Sequence, residues 1–204
     1  MGEAEPPLNT AAMEAAQRLR GMFDRVVELV EGGDLKRAQA ILDSTLRDIP
    51  GEPNLTRMLG VVLLRQGDLA EAENKLSHVV KVVPQFADAY LDLANAQLAQ
   101  RKLDDAIATL TTALERNPKF EAAALRLAEA LTVCGRHDEA SRYFEEAFRL
   151  NPVRGRLVEG MEHGRAGRMD EAERVYRQVV RDAPDNIDAL RLLEADLMIV
   201  AAYG

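Results

Sequence analysis

The groups in this sequence that are reactive enough for catalysis or metal binding are few and scattered. Its three histidines, His78, His137 and His163, fall in separate segments, with no HExxH pair or other ligand spacing. The single cysteine, Cys134, has no second thiol for a disulfide and no CxxC partner for a metal. It sits before Gly135, where a free thiol acts first as a small packing residue. His137-Asp138 opens a segment, and a carboxylate there suits the dipole of a helix start. No Ser or Cys nucleophile motif accompanies it. Phosphate-cradling GxxxxGKS, GxxxxGKT and GxGxxG motifs do not occur. These residues predict a chain that is not an enzyme, with no catalytic residue, no metal ligand and no cofactor. Binding chemistry remains. The Asn95 carboxamide donates and accepts at once and can pin a peptide backbone. Arg57 and Arg65 can meet an acidic side chain or a terminal carboxylate.

Composition narrows the ligand. The 204 residues carry a formal charge of −8, and no segment is strongly basic. Nucleic acid and anionic membrane surfaces are therefore poor partners. The acidic start, Met1-Gly2-Glu3-Ala4-Glu5-Pro6-Pro7, has no apolar core and does not read as a signal peptide. Pro6 stands where a myristoylation motif wants Ser or Thr. The longest apolar run, Leu197 to Tyr203, falls far short of the roughly 20 residues that span a bilayer. The lone thiol fits a reducing compartment, so the expected location is cytoplasmic, and the Ala/Arg-rich style suggests a bacterial source.

The elements that must carry Asn95 and the arginines follow from a repeat. Pro50, Pro84, Pro118 and Pro152 stand 34 residues apart, and Pro184 follows after 32. Twelve residues before each comes an alanine: Ala38, Ala72, Ala106, Ala140 and Ala172. Twelve before four of these comes another small residue, Gly60, Ala94, Ala128 or Gly160, with Val26 at that place in the first repeat. Each unit reads as two helices. Gly33, Gly67, Gly135 and Gly167 mark the turn inside four of them, while Arg101-Lys102 replaces Gly in the third. The proline is expected to close the second helix. The facing small residues let two backbones approach. Apolar residues recur at helical spacing, as in Leu69, Ala72, Leu76, Val79 and Val80, and again in Tyr143, Phe144, Ala147 and Phe148. No period-two alternation suggests a strand.

These rows resemble the tetratricopeptide repeat, whose small residue, alanine and closing proline they match at the family's period. Asp68-Leu69-Ala70-Glu71-Ala72-Glu73 and Met169-Asp170-Glu171-Ala172-Glu173 are wording typical of it. The family's usual Trp is missing. Tyr90 holds its place in the third repeat, and Met22, Thr56, Ala124 and Arg156 hold it elsewhere. The resemblance implies an all-α fold, a right-handed superhelical solenoid of five helical hairpins plus a C-terminal helix. The expected organisation is a disordered stretch over 1–9, five repeats within 10–186 (about 19–52, 53–86, 87–120, 121–152 and 153–186), and a capping or assembly helix over 187–204. The two missing residues lie between Pro152 and Gly160, which predicts either a shortened loop or a seam after a four-repeat block.

In proteins of this resemblance the first helices line the concave face. The expected groove is Phe23, Val27, Arg57, Val61, Leu64, Arg65, Leu91, Asn95, Leu98, Leu125, Glu129 and Met161. Such an apolar strip suits a protein or peptide partner. Some family members clamp a chaperone C-terminus with Lys and Asn. Here Asn95 matches one clamp place, but Leu91 stands where the Lys belongs, so an apolar segment is the better fit. Residues 187–203 are apolar on more than one side, and Leu193, Leu197, Met198 and Val200 form a candidate assembly surface. The expected function is a scaffold or adaptor binding a partner's peptide segment in the groove. Two alternatives stay open: the repeat-containing portion of a larger bacterial enzyme such as a transferase, and a structural homodimer through the last helix.

Overall fold

The structure is a computed structural model that describes residues 8–203. Of the expected disordered stretch, residues 1–7 lie outside the described residues, while Leu8 and Asn9 already belong to a helix. Among the described residues the chain is all-α, with eleven helices and no strand. It divides into two compact units after Pro118.

Unit 1 holds α1 (Leu8–Glu31), α2 (Leu35–Asp48), α3 (Pro53–Gln66), α4 (Leu69–Val82), α5 (Ala87–Ala99) and α6 (Leu103–Arg116). Successive helices pack as hairpins, α1 on α2, α3 on α4 and α5 on α6. The core runs through Val26, Leu42, Leu55, Leu63 and Leu76, all essentially without solvent contact. The small-residue rows are the reason the hairpins close. A Cβ added at Gly60 would come within 2.7 Å of the Leu76 Cγ, so α3 and α4 touch where only a hydrogen fits.

Unit 2 holds α7 (Glu121–Val133), α8 (His137–Leu150), α9 (Pro152–Arg165), α10 (Met169–Asp182) and α11 (Ile187–Tyr203). Its second core gathers Leu157, Ala172, Tyr176, Val179 and Ala189 from α9, α10 and α11. The deletion noticed in the sequence comes out of the α8–α9 link. One residue, Asn151, ends α8 and caps α9, its side chain accepting the Arg154 backbone N–H at 3.2 Å. Here the expected role of proline is corrected. Pro152 does not close α8 but starts α9, a place where its missing N–H costs nothing. The chain's division falls one hairpin earlier than a seam at Pro152 would put it.

Turn chemistry shows the strength of the repeat. Gly33, Gly67, Gly135 and Gly167 take φ of 75–90°, and Arg101 takes the same left-handed conformation at 62°. A side chain there costs roughly 1–2 kcal/mol, and the surrounding helices hold it in place. Arg101→Gly is therefore expected to stabilise unit 1 by about 1 kcal/mol, less the extra entropy of glycine in the unfolded chain. Urea unfolding would show a raised midpoint at unchanged slope. A lowered midpoint would mean that the arginine makes compensating contacts.

Candidate functional site

In unit 1 the expected groove residues lie on α1, α3 and α5. Phe23, Val61, Leu64, Leu91, Asn95 and Leu98 are half-buried, and Val27 is 46 % exposed. Phe23 and Leu64 also pack against the core, which explains their partial burial. The two arginines expected to meet a partner also make contacts within the chain. Arg57 Nε–H donates to Asp92 Oδ2 at 2.8 Å, and its guanidinium lies 5.2 Å from the Phe86 ring centre. Arg65 donates to the Val30 carbonyl at 3.3 Å.

Asp92, unnoticed in the sequence, is the unusual group of this unit. Burial pushes its carboxyl up to about 6, against the pull of Arg57 and with help from the neighbouring Asp88 charge. The folded chain thus holds the proton more tightly than the unfolded one. This group's contribution to stability is present below the ordinary value of 3.8 and is lost as pH rises through about 6. Asp92→Asn keeps an acceptor for Arg57 and removes the ionisation. It is expected to gain on the order of 2 kcal/mol over the parent between pH 4 and pH 8. Parallel denaturation curves at the two pH values measure this, and a difference that does not vary with pH would refute it.

In unit 2 the structure brings three expected residues together. Leu125 and Glu129 of α7 and Met161 of α9 line one cleft of about 990 Å³. The size is at the upper end for a small-molecule cavity. Phe144 and Phe148 of α8 line it as well, their ring centres 6.0 Å apart and 25° from parallel. They stand one turn apart, so both project from one face. Gly155 lets α9 lie against them, since a Cβ there would come within 3.0 Å of the Phe148 Cβ. Arg154, Leu157 and Val158 continue the wall on α9, and Asp188, Arg191 and Leu192 add the first turns of α11.

The charges of the cleft are mostly compensated. Glu129 pairs with Arg126 at 2.8 Å. Arg154 makes an ion contact with Glu121 at 3.1 Å, without hydrogen-bond geometry. Arg191 makes no ion pair among the described residues.

The sequence pattern hid the phenylalanines and Arg191 for different reasons. The phenylalanines lie in a core-type apolar stripe. At the register place of Phe144 the other hairpins carry Leu42, Leu76, Leu110 and Tyr176, all buried, yet Phe144 is half-open. No sequence signal distinguishes it from them. Arg191 had a signal. It stands 34 residues after Leu157, in the row of Phe23, Arg57, Leu91 and Leu125, so the groove row continues onto α11.

The candidate assembly surface is only partly as expected. Leu193 is half-buried against the α9–α10 core, because α11 packs there as the next helix, so it is not an open contact. Met198 is 68 % exposed, and Ile187 and Leu190 are exposed on the same helix. The side chains of Leu197 and Val200 lie outside the described residues.

Among the described residues no three His, Cys, Asp or Glu side chains lie close enough to hold a metal. His163 Nδ1 accepts from Arg168 Nε–H at 3.0 Å, a structural tie next to the α9–α10 turn. No described helix is long and apolar enough to cross a membrane.

Sequence and fold comparisons agree with this geometry. A family model described as tetratricopeptide repeat matches residues 63–119 and 97–157, and a second of the same description matches 23–77. The fold is similar to a thermophilic tetratricopeptide-repeat protein of Thermus thermophilus, at TM-score 0.68 and 21 % identity over 88 % of this chain and 98 % of that one. It is similar to MamA, at 0.58 and 22 % over 84 % and 95 %. It is also similar to YrrB, described as a tetratricopeptide-repeat protein with an unusual peptide-binding site, at 0.55 and 18 % over 91 % and 97 %. At these identities the likeness is one of fold. No curated protein matches the sequence.

Proposed function

The chain belongs to the tetratricopeptide-repeat family, and from that premise we propose that it is a protein-interaction scaffold that holds a peptide segment of a partner against the first helices of its hairpins. The cleft of unit 2 carries this reading. Leu125, Glu129 and Met161 converge there on an apolar floor with a polar rim, the usual make-up of a specific binding site. The peptide-binding site described for YrrB gives a precedent within the same fold. The proposed setting is a bacterial cytoplasm, which suits the lone thiol of Cys134.

The test is affinity capture from cells of the native source. The parent chain is compared with a Leu125→Asp, Glu129→Lys variant of unchanged melting temperature. A partner held by the parent should be lost from the variant. If capture survives both this change and the paired change Leu91→Asp, Asn95→Asp in unit 1, groove binding is wrong.

A second reading has its own observation. Ile187, Leu190 and Met198 leave apolar surface on α11, which favours self-association through that helix. Light scattering decides it. A dimer that Leu190→Glu with Met198→Glu converts to monomer would support it, and a monomer at high concentration would end it.

A further inference from the structure

The unit 2 cleft has a chemical bias beyond its apolar floor, and the ligand class it implies rests on the proposal that the groove binds peptide. Its rim offers mainly donors. The Asn151 and Asn186 side-chain oxygens are occupied by capping, accepting from the Arg154 and Ala189 backbone N–H groups at 3.2 and 2.8 Å. Their amide N–H groups remain for a ligand. Of the two acids, Glu129 is paired with Arg126 at 2.8 Å. Asp188 sits in the first turn of α11, where the helix's unpaired N–H groups already favour a negative charge. Of the two arginines, Arg154 is held by Glu121. Arg191 is exposed and makes no ion pair among the described residues. Among the described residues, a guanidinium without an ion pair and several spare donors therefore face a floor of stacked phenylalanines.

We propose that the unit 2 cleft binds a protein segment that lays a large apolar side chain on Phe144 and Phe148 and sets an Asp or Glu carboxylate on Arg191. A guanidinium matches a carboxylate in two parallel hydrogen bonds, which fixes register as well as charge. The apolar anchor supplies most of the affinity, because it removes open aromatic surface from water. A cleft with one arginine that makes no ion pair among the described residues suits one side-chain carboxylate. Asp188 also makes no ion pair among the described residues. It stands in the first turn of α11, where the helix end already favours its charge, so a basic segment gains less from it than an acidic one gains from Arg191.

The experiment selects binders to the full-length chain from random short peptides displayed at the N-terminus of a phage coat protein, so that no peptide has a free C-terminus. Enriched peptides should combine Phe, Leu, Ile or Met with a nearby Asp or Glu. Made as amidated synthetic peptides, they should bind Arg191→Glu about tenfold or more weakly than the parent. Selection against Arg191→Glu itself should turn towards Lys and Arg. Arg191 is on the surface, so that variant keeps the fold, and its melting temperature verifies this. Enriched peptides without an acidic residue, or peptides that bind Arg191→Glu as well as the parent, would overturn the proposal. If those peptides are instead lost with Leu91→Asp, groove binding stands and this assignment fails. If the parent enriches nothing over a blank surface, both fail.

Discussion

Truncating Leu110 to alanine is expected to cost roughly 2–5 kcal/mol of stability, while the same truncation at Phe144 should cost only about 1–2. The two residues hold the same place in successive hairpins, 34 residues apart. Leu110 is fully enclosed, so its removal leaves a cavity that the α5–α6 hairpin cannot fill. Phe144 is half-open to the cleft, so part of its surface is already in water and the vacated space joins the solvent. Urea unfolding of each variant measures the costs. The binding readout should run the other way. Phe144→Ala should weaken peptide capture by unit 2, and Leu110→Ala, wherever it still folds, should leave it intact. Equal stability losses at the two places would mean that Phe144 is a core residue after all, and the cleft would lose its floor.

The second large effect is expected at Gly160. A Cβ there would lie 2.9 Å from the Tyr176 Cδ1 and 3.0 Å from its Cζ, against a ring only 4 % exposed. The ring has nowhere to turn, so alanine must push α9 and α10 apart. Overpacking of this kind costs about 1–3 kcal/mol. The gain in helix propensity from Gly to Ala offsets about 1 of that. A net loss of up to about 2 kcal/mol is expected, and valine should do more damage than alanine. Tyr176→Leu should rescue Gly160→Ala, because the pair then copies Ala94 and Leu110, which hold the same register in unit 1. A double-mutant cycle gives the coupling directly. Without rescue, the small-residue row would serve something other than this contact.

Much of the molecule was legible in the chain itself, because a repeat records its own packing. The 34-residue rows of proline, alanine and small residues placed the hairpins. Helical apolar spacing then set which faces turn inward. Even the departure at Arg101 left the turn in place, since its neighbours on both sides dictate the backbone there. The row along the first helices likewise named Leu125, Glu129 and Met161, which the fold brings to one cleft.

Tertiary structure decided how these groups are used. Arg57 looked free in sequence, yet Asp92 lies 35 residues on and meets it only when α5 packs beside α3. Pro152 was counted with the closing prolines, but a link of one residue makes it the start of α9. Phe144 wrote the same apolar pattern as the buried Leu42, Leu76 and Leu110. Only the placement of α9 and α11 around Phe144 and Phe148 leaves their rings open to a partner. Periodicity specifies which residues share a face, because that follows from helix geometry alone. Whether a shared face is covered depends on how closely the next helix approaches, and that distance is set by contacts many residues away in sequence.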